Sequence, residues 1–62
     1  MTPATLRNVR HMLRLTQAQL AQAIGRSRDR IARYEAGRSE IPQVVELAIR
    51  GLLAKEMEEK VR

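Results

Sequence analysis

The sequence predicts an all-α fold, a compact bundle of four helices with a long C-terminal helix, and three observations predict it. Apolar residues recur three and four positions apart in successive stretches, as one buried face of an α-helix requires. Thr2, Thr16 and Ser27 each stand where a hydroxyl can cap the start of such a stretch. Gly25, Gly37 and Pro42 then punctuate the boundaries between them.

The first helix is expected from the Thr2 cap, with Pro3 in its first turn, to about Leu15, and Leu6, Val9 and Leu13 give it an inner face. Thr16 caps the second helix, which runs to Gly25. Leu20 and Ile24 lie four apart on its inner side, and Ala21 is small where two helix axes must approach. Gly25 follows Ile24 where this helix must end, and glycine tolerates the left-handed backbone that a helix end favours. Ser27 caps the third helix, which ends near Ala36 and Gly37. Its Ile31 and Tyr34, three apart, can meet Leu20 and Ile24 across the turn. Residues 16–35 thus read as a helix-turn-helix.

From Pro42 to about Lys60 the chain carries good helix formers, interrupted only by Gly51, and predicts one long helix. Val44, Val45, Leu47, Ala48, Ile49, Leu52 and Leu53 make its apolar face wider than three short helices need, and Met57 and Val61 extend it. The excess width points to a homodimer, with Val45, Ile49, Leu52 and Leu53 as contact residues; a patch around Met12 is the other place for that interface. Gly51 costs up to about 1 kcal/mol relative to alanine inside a helix. Either a close backbone approach explains it or it is a tolerated surface glycine.

At 62 residues one domain over 1–62 is expected, with a small core and marginal stability unless a partner adds buried area. The sequence has no cysteine, which excludes a disulfide framework and a thiolate metal site. His11 is the one histidine, and with scattered carboxylates it does not make a closed metal site, so neither metal nor cofactor is expected. No serine has a base at a recognisable spacing, so no catalytic residue is assigned and no enzyme activity is expected. No apolar run is long enough for a signal peptide or a membrane span, and the expected location is the cytoplasm.

The net charge of +5 is unevenly placed: residues 1–38 hold eight arginines against Asp29 and Glu35, while residues 39–62 hold four basic and five acidic side chains. The basic part contains the turn. Every cation before residue 39 is arginine, whose planar guanidinium suits bidentate pairing with phosphate or guanine. On its own a charge-rich face is explained as well by solvation as by nucleic acid.

Geometry separates those readings. With Ile31 and Tyr34 turned inward, Arg28, Asp29, Ala32 and Arg33 are left on the outer face of the third helix, at its N-terminal end and middle, where side chains reach base edges in a major groove. Arg28 and Arg33 can each donate two parallel hydrogen bonds to guanine O6 and N7, a match worth about 1–3 kcal/mol of discrimination, and so predict guanines in the target. Asp29 has three readings: acceptance of a proton from cytosine N4, a brace for a neighbouring arginine, or an acid favoured by the helix dipole by roughly 0.3–1 kcal/mol. Tyr34, the sole aromatic residue, is expected in the core, which disfavours single-strand binding by base stacking.

Together Thr16-Gln17, Leu20-Ala21, Ile24-Gly25, Ser27, Ile31, Tyr34-Glu35 and Gly37 resemble the helix-turn-helix signature of the Cro and lambda-repressor-like (XRE) DNA-binding family, across roughly residues 5–42. The resemblance implies a lambda-repressor-like bundle whose third helix enters the major groove. It implies base reading by Arg28, Asp29 and Arg33 with Ser27 at the helix start, and phosphate contacts from Gln17, from Arg38 with Ser39 in the following loop, and from Arg30 at the flank. It also implies an ion pair between Arg10 and Glu35 that orients the third helix. Two residues or segments depart from the family pattern. Arg26 stands where the family usually has an apolar residue, and either adds a phosphate contact or merely solvates the turn. One long helix follows Pro42 where the family commonly has two short ones, so the family's dimer geometry is not carried over.

The function so implied is sequence-specific regulation of transcription by a small protein of the phage or mobile-element type. It would bind a palindromic operator in double-stranded DNA as a homodimer, most simply as a repressor acting by occupancy, with autoregulation a plausible consequence. The alternative is an antitoxin-like module that neutralises a partner protein through the apolar face of the last helix and binds DNA secondarily. An architectural DNA binder is disfavoured, because such proteins commonly wedge apolar side chains into the minor groove.

Overall fold

The computed structural model describes the backbone of residues 1–61 and the side chains of residues 1–58. Four helices follow in order, α1 (Pro3–Met12), α2 (Gln17–Ile24), α3 (Arg28–Glu35) and α4 (Gln43–Val61), with no strand among the described residues. The fold is all-α, as the periodicity predicts.

Each of the first three helices starts where a hydroxyl stands. Thr2 Oγ1 accepts from the Thr5 amide at 3.1 Å and Ser27 Oγ from the Arg30 amide at 3.2 Å. At Thr16 the exchange is reciprocal: its hydroxyl accepts from the Gln19 amide at 3.1 Å while the Gln19 side-chain oxygen accepts from the Thr16 amide at 2.9 Å. That capping box satisfies two amides with no intrahelical partner, and each such cap is worth about 1 kcal/mol.

The three short helices also end alike. Leu15 donates to the Arg10 carbonyl at 3.2 Å and Arg14 to that of His11 at 3.0 Å; Arg26 donates to Ala21 at 2.8 Å and Gly25 to Gln22 at 3.4 Å; Arg38 donates to Arg33 at 2.9 Å and Gly37 to Tyr34 at 3.2 Å. This is the paired closure of a Schellman motif, with a left-handed residue at its centre. Gly25 (φ 70°) and Gly37 (φ 74°) fill that position in α2 and α3, but Arg14 (φ 58°) fills it in α1. The first helix therefore stops at Met12 and not near Leu15. No glycine marks that stop, and the left-handed arginine is held by the two closure bonds and by Arg10 Nη1 donating to the Leu15 carbonyl at 3.1 Å.

Leu6, Val9, Leu20, Ala21, Ile31, Tyr34, Val45 and Ile49 form the core, with Leu13, Leu15, Ile24, Ile41, Leu52 and Leu53 packed at its margin. The wide apolar face of α4 is divided between two environments. Val45 and Ile49 close the core over the shorter helices, so these two residues, expected at a dimer interface, are already inside the protomer. Leu52 and Leu53 are half-buried. Val44, Leu47 and Met57 are 61%, 58% and 59% exposed and form the outward part. The extension of that face to Val61 falls on a side chain outside the described ones. A Cβ added at Gly51 would meet nothing within 4 Å, so no close backbone approach within the protomer accounts for this glycine.

At the opposite end of α4 the Met1 amino group pairs with Glu46, and Arg50 reaches the same carboxylate at 3.1 Å. The hydrogen bond from that amino group, together with both positive charges, holds the Glu46 carboxyl below its ordinary range against a smaller opposing effect of desolvation.

Candidate nucleic-acid interface

A buried ion pair fixes the orientation of α3. Glu35, only 5% exposed at the end of this helix, accepts from Arg10 Nε at 2.6 Å and from Arg10 Nη2 at 3.0 Å. This fork-to-fork pairing matches the arrangement implied for Arg10 and Glu35. Arg7, one turn earlier on α1, donates from Nη2 to the Glu35 carbonyl at 3.0 Å and brings its Nε to 3.9 Å from the carboxylate. Gln17, at the start of α2, donates its amide to Glu35 Oε1 at 3.4 Å. One carboxylate thus ties all three short helices together.

Burial alone would raise the Glu35 pKa. The hydrogen bonds from Arg10 and Gln17, with the charges of Arg10 and Arg7, outweigh it and hold the carboxyl below its ordinary value. A buried carboxylate with so many donors stays ionised. Arg7 was not among the residues expected here. Its spacing of three from Arg10 on one helix face was the available signal, since residues so spaced are surface neighbours.

The other side of α3 is open. Arg28, Asp29, Arg30 and Arg33 are exposed and Ala32 is half-buried, while Ile31, Tyr34 and Glu35 face inward. The structure therefore brings Arg28, Asp29 and Arg33 onto one accessible surface. Ser27 is exposed at the helix start with its hydroxyl occupied by the Arg30 amide, so its structural role as a cap is explicit. Asp29 lies in the first turn of α3 and enters none of the ion pairs among the described residues. Among the described residues it braces no neighbouring arginine.

Arginines ring this surface. Arg26 is exposed and folds its Nη1 back to the Gly25 carbonyl at 3.1 Å, and Arg38 and Ser39 are exposed in the loop after α3. Gln17 differs from the rest of the set expected at phosphates, being half-buried with one amide proton directed at Glu35. What it retains for an anion is its second amide proton and its backbone N–H in the first turn of α2, which has no intrahelical partner.

Two helices joined by a tight glycine turn, braced by a third and presenting an arginine-lined outer face, define a helix-turn-helix DNA-binding protein. A sequence model described as the helix-turn-helix domain matches residues 4–59, and the chain belongs to that family. No curated protein and no solved structure matches it. The family makes this chain a DNA-binding regulator, and no helix among the described residues is long and apolar enough to cross a membrane.

Proposed function

We propose that the chain is a sequence-specific transcriptional regulator of the Cro and lambda-repressor-like kind. It places α3 in the major groove of a palindromic operator as a homodimer and acts in the cytoplasm as a repressor by occupancy. The observation that carries this reading is the division of α3. Arg28, Asp29 and Arg33 share its exposed face, while Ile31, Tyr34 and the Glu35 ion pair hold the opposite face in place. Rigid support of a reading face is what discrimination between base pairs demands, because a bidentate arginine-guanine match tolerates little displacement.

Arg28 and Arg33 read guanines. Asp29, which enters no ion pair among the described residues, accepts from a cytosine N4 amino group. Arg26, Arg30, Arg38 and Ser39, with the first turn of α2 at Gln17, meet phosphates and supply the salt-dependent part of the affinity without choosing sequence. The homodimer uses the outward side of α4, where Val44 and Leu47 are exposed, and takes in the half-buried Leu52 and Leu53 at its edges. Two half-sites about one turn of DNA apart would then be read at once.

Selection of binding sites from a random duplex library, with the wild-type protein and with Arg33→Ala at one fixed salt concentration, tests the reading. A palindromic motif containing guanine, with preference relaxed at one position per half-site in the variant, is the expected result. Folded protein that enriches no motif would overturn it. The second reading, an antitoxin-like module that holds a partner protein, is favoured by the exposure of Val44, Leu47 and Met57 along α4. A monomer that gains solubility only with the product of an adjacent gene would support that reading.

A further inference from the structure

The outer face of α3 is not flat. One turn beyond Arg28 and Asp29, a shallow, open cavity of about 210 Å³ lies between Ala32, Arg33, Ala36 and Arg38. Two of the four residues that line it are alanines, and the other two are arginines. No carboxylate, hydroxyl or amide side chain lines it.

This lining is selective among the groups that a major groove presents. Adenine N6 and cytosine N4 are donors and find no acceptor among these side chains, and an acceptor set against the two alanines, away from the guanidiniums, would go unpaired. The C5 methyl of a pyrimidine is the apolar group displayed there, and alanine is a side chain suited to meet it. The volume admits the methyl together with the ring edge that carries it. Arg33 supplies the second half of the recognition: it borders the cavity, and a side chain of its length can carry its guanidinium to a neighbouring base. Arg38 borders the cavity from the loop after α3.

We propose that this cavity receives the C5 methyl of a pyrimidine stacked beside the guanine that Arg33 reads, which makes Ala32 and Ala36 specificity-determining residues. The inference rests on the DNA-reading function proposed above and deepens it from single guanines to a two-base step. Thymine carries the methyl in unmodified DNA, and 5-methylcytosine presents the same group.

The test starts from the duplex motif selected by the wild-type protein, in which Arg33→Ala has identified the guanine. Each thymine of a half-site is replaced singly by deoxyuridine and each cytosine by 5-methylcytosine. Affinities are measured at fixed salt for the wild type, Ala32→Ser and Ala36→Ser, with folding checked by circular dichroism. One deoxyuridine replacement, beside that guanine, is expected to weaken wild-type binding roughly fourfold, the scale of one methyl group withdrawn from water. At least one serine variant should lose that sensitivity. If the pyrimidine is cytosine, its methylation should strengthen binding by a similar factor.

A selected motif in which no single methyl removal or addition changes the affinity would overturn the proposal. So would a methyl effect that survives unchanged in both serine variants, since the cavity would then face only the sugar-phosphate backbone. Failure of the folded protein to select any motif would instead remove the DNA-reading proposal, and this one with it.

Discussion

The two sides of α3 are built on opposite principles within the same eight residues. Its inner side holds Ile31 and Tyr34 in the core and ends in Glu35, whose carboxylate takes donors from α1 and α2. Its outer side carries exposed arginines and Asp29, which enters none of the ion pairs among the described residues. On the function proposed, the difference separates stability from recognition: the inner side can be fixed while the outer side varies. A small domain gains from this, because a residue that served both ends would make every change of target a change of stability.

Breaking the inner side should have the largest effect. Glu35→Ala leaves Arg10 largely buried without its partner, and removal of one member of such a pair costs about 3–5 kcal/mol, a large part of the stability of a small domain. Urea or thermal denaturation should show the loss. Replacing both residues together, as Arg10→Met with Glu35→Leu, should recover much of it, whereas failure to recover would mean that Arg7 and Gln17 depend on the carboxylate as strongly as Arg10 does.

The outer side should behave in the reverse manner. Arg28→Ala or Arg33→Ala is expected to change stability by less than about 0.5 kcal/mol while costing roughly 1–3 kcal/mol of discrimination at one base pair, read by competition binding. Arg38→Ala should weaken binding to all sequences evenly and reduce the slope of log affinity against log salt by about one. A comparable loss of stability in any of these variants would contradict the division of α3.

Acid provides a finer probe of the inner side. The Glu35 carboxyl lies below its ordinary value of 4.5 in the folded chain, so its contribution is fully present above the unfolded value and is lost as pH falls through the folded one. Melting temperature should therefore hold from neutral pH to about pH 5 and decline below the ordinary carboxylate range, with a shallower decline in the double replacement at Arg10 and Glu35. The smallest expected effect concerns the brace of that side, where α1 closes on a left-handed arginine. Arg14→Gly should raise stability by about 0.5–1 kcal/mol, because the strain relieved exceeds the extra freedom gained by the unfolded chain.

Much of the local architecture is legible in the sequence. Thr2, Thr16 and Ser27 cap the helices they precede, and Gly25 and Gly37 end the helices they follow, because capping and closure involve residues a few positions apart. The pairing of Arg10 with Glu35 was legible only through resemblance to a family, since no rule of spacing connects residues 25 positions apart. Arg7 joins the same residue from 28 positions away, and its spacing of three from Arg10 is the one sign of it in the sequence. The stop at Met12 was hidden because arginine gives no local sign that it will adopt a left-handed backbone.

The sequence by itself determined where helices begin, which residues turn inward on α2 and α3, and that Arg28, Asp29 and Arg33 face outward together. Those outcomes follow from the periodicity of one helix and from hydrogen bonds within a single turn. Tertiary structure alone decided that Val45 and Ile49 enter the core while Val44 and Leu47 remain exposed, that Gln17 turns part of its amide toward Glu35, and that a cavity opens beside Ala32 and Ala36. An apolar face wider than its partner surface offers several ways to pack, and only the packed neighbours select one of them.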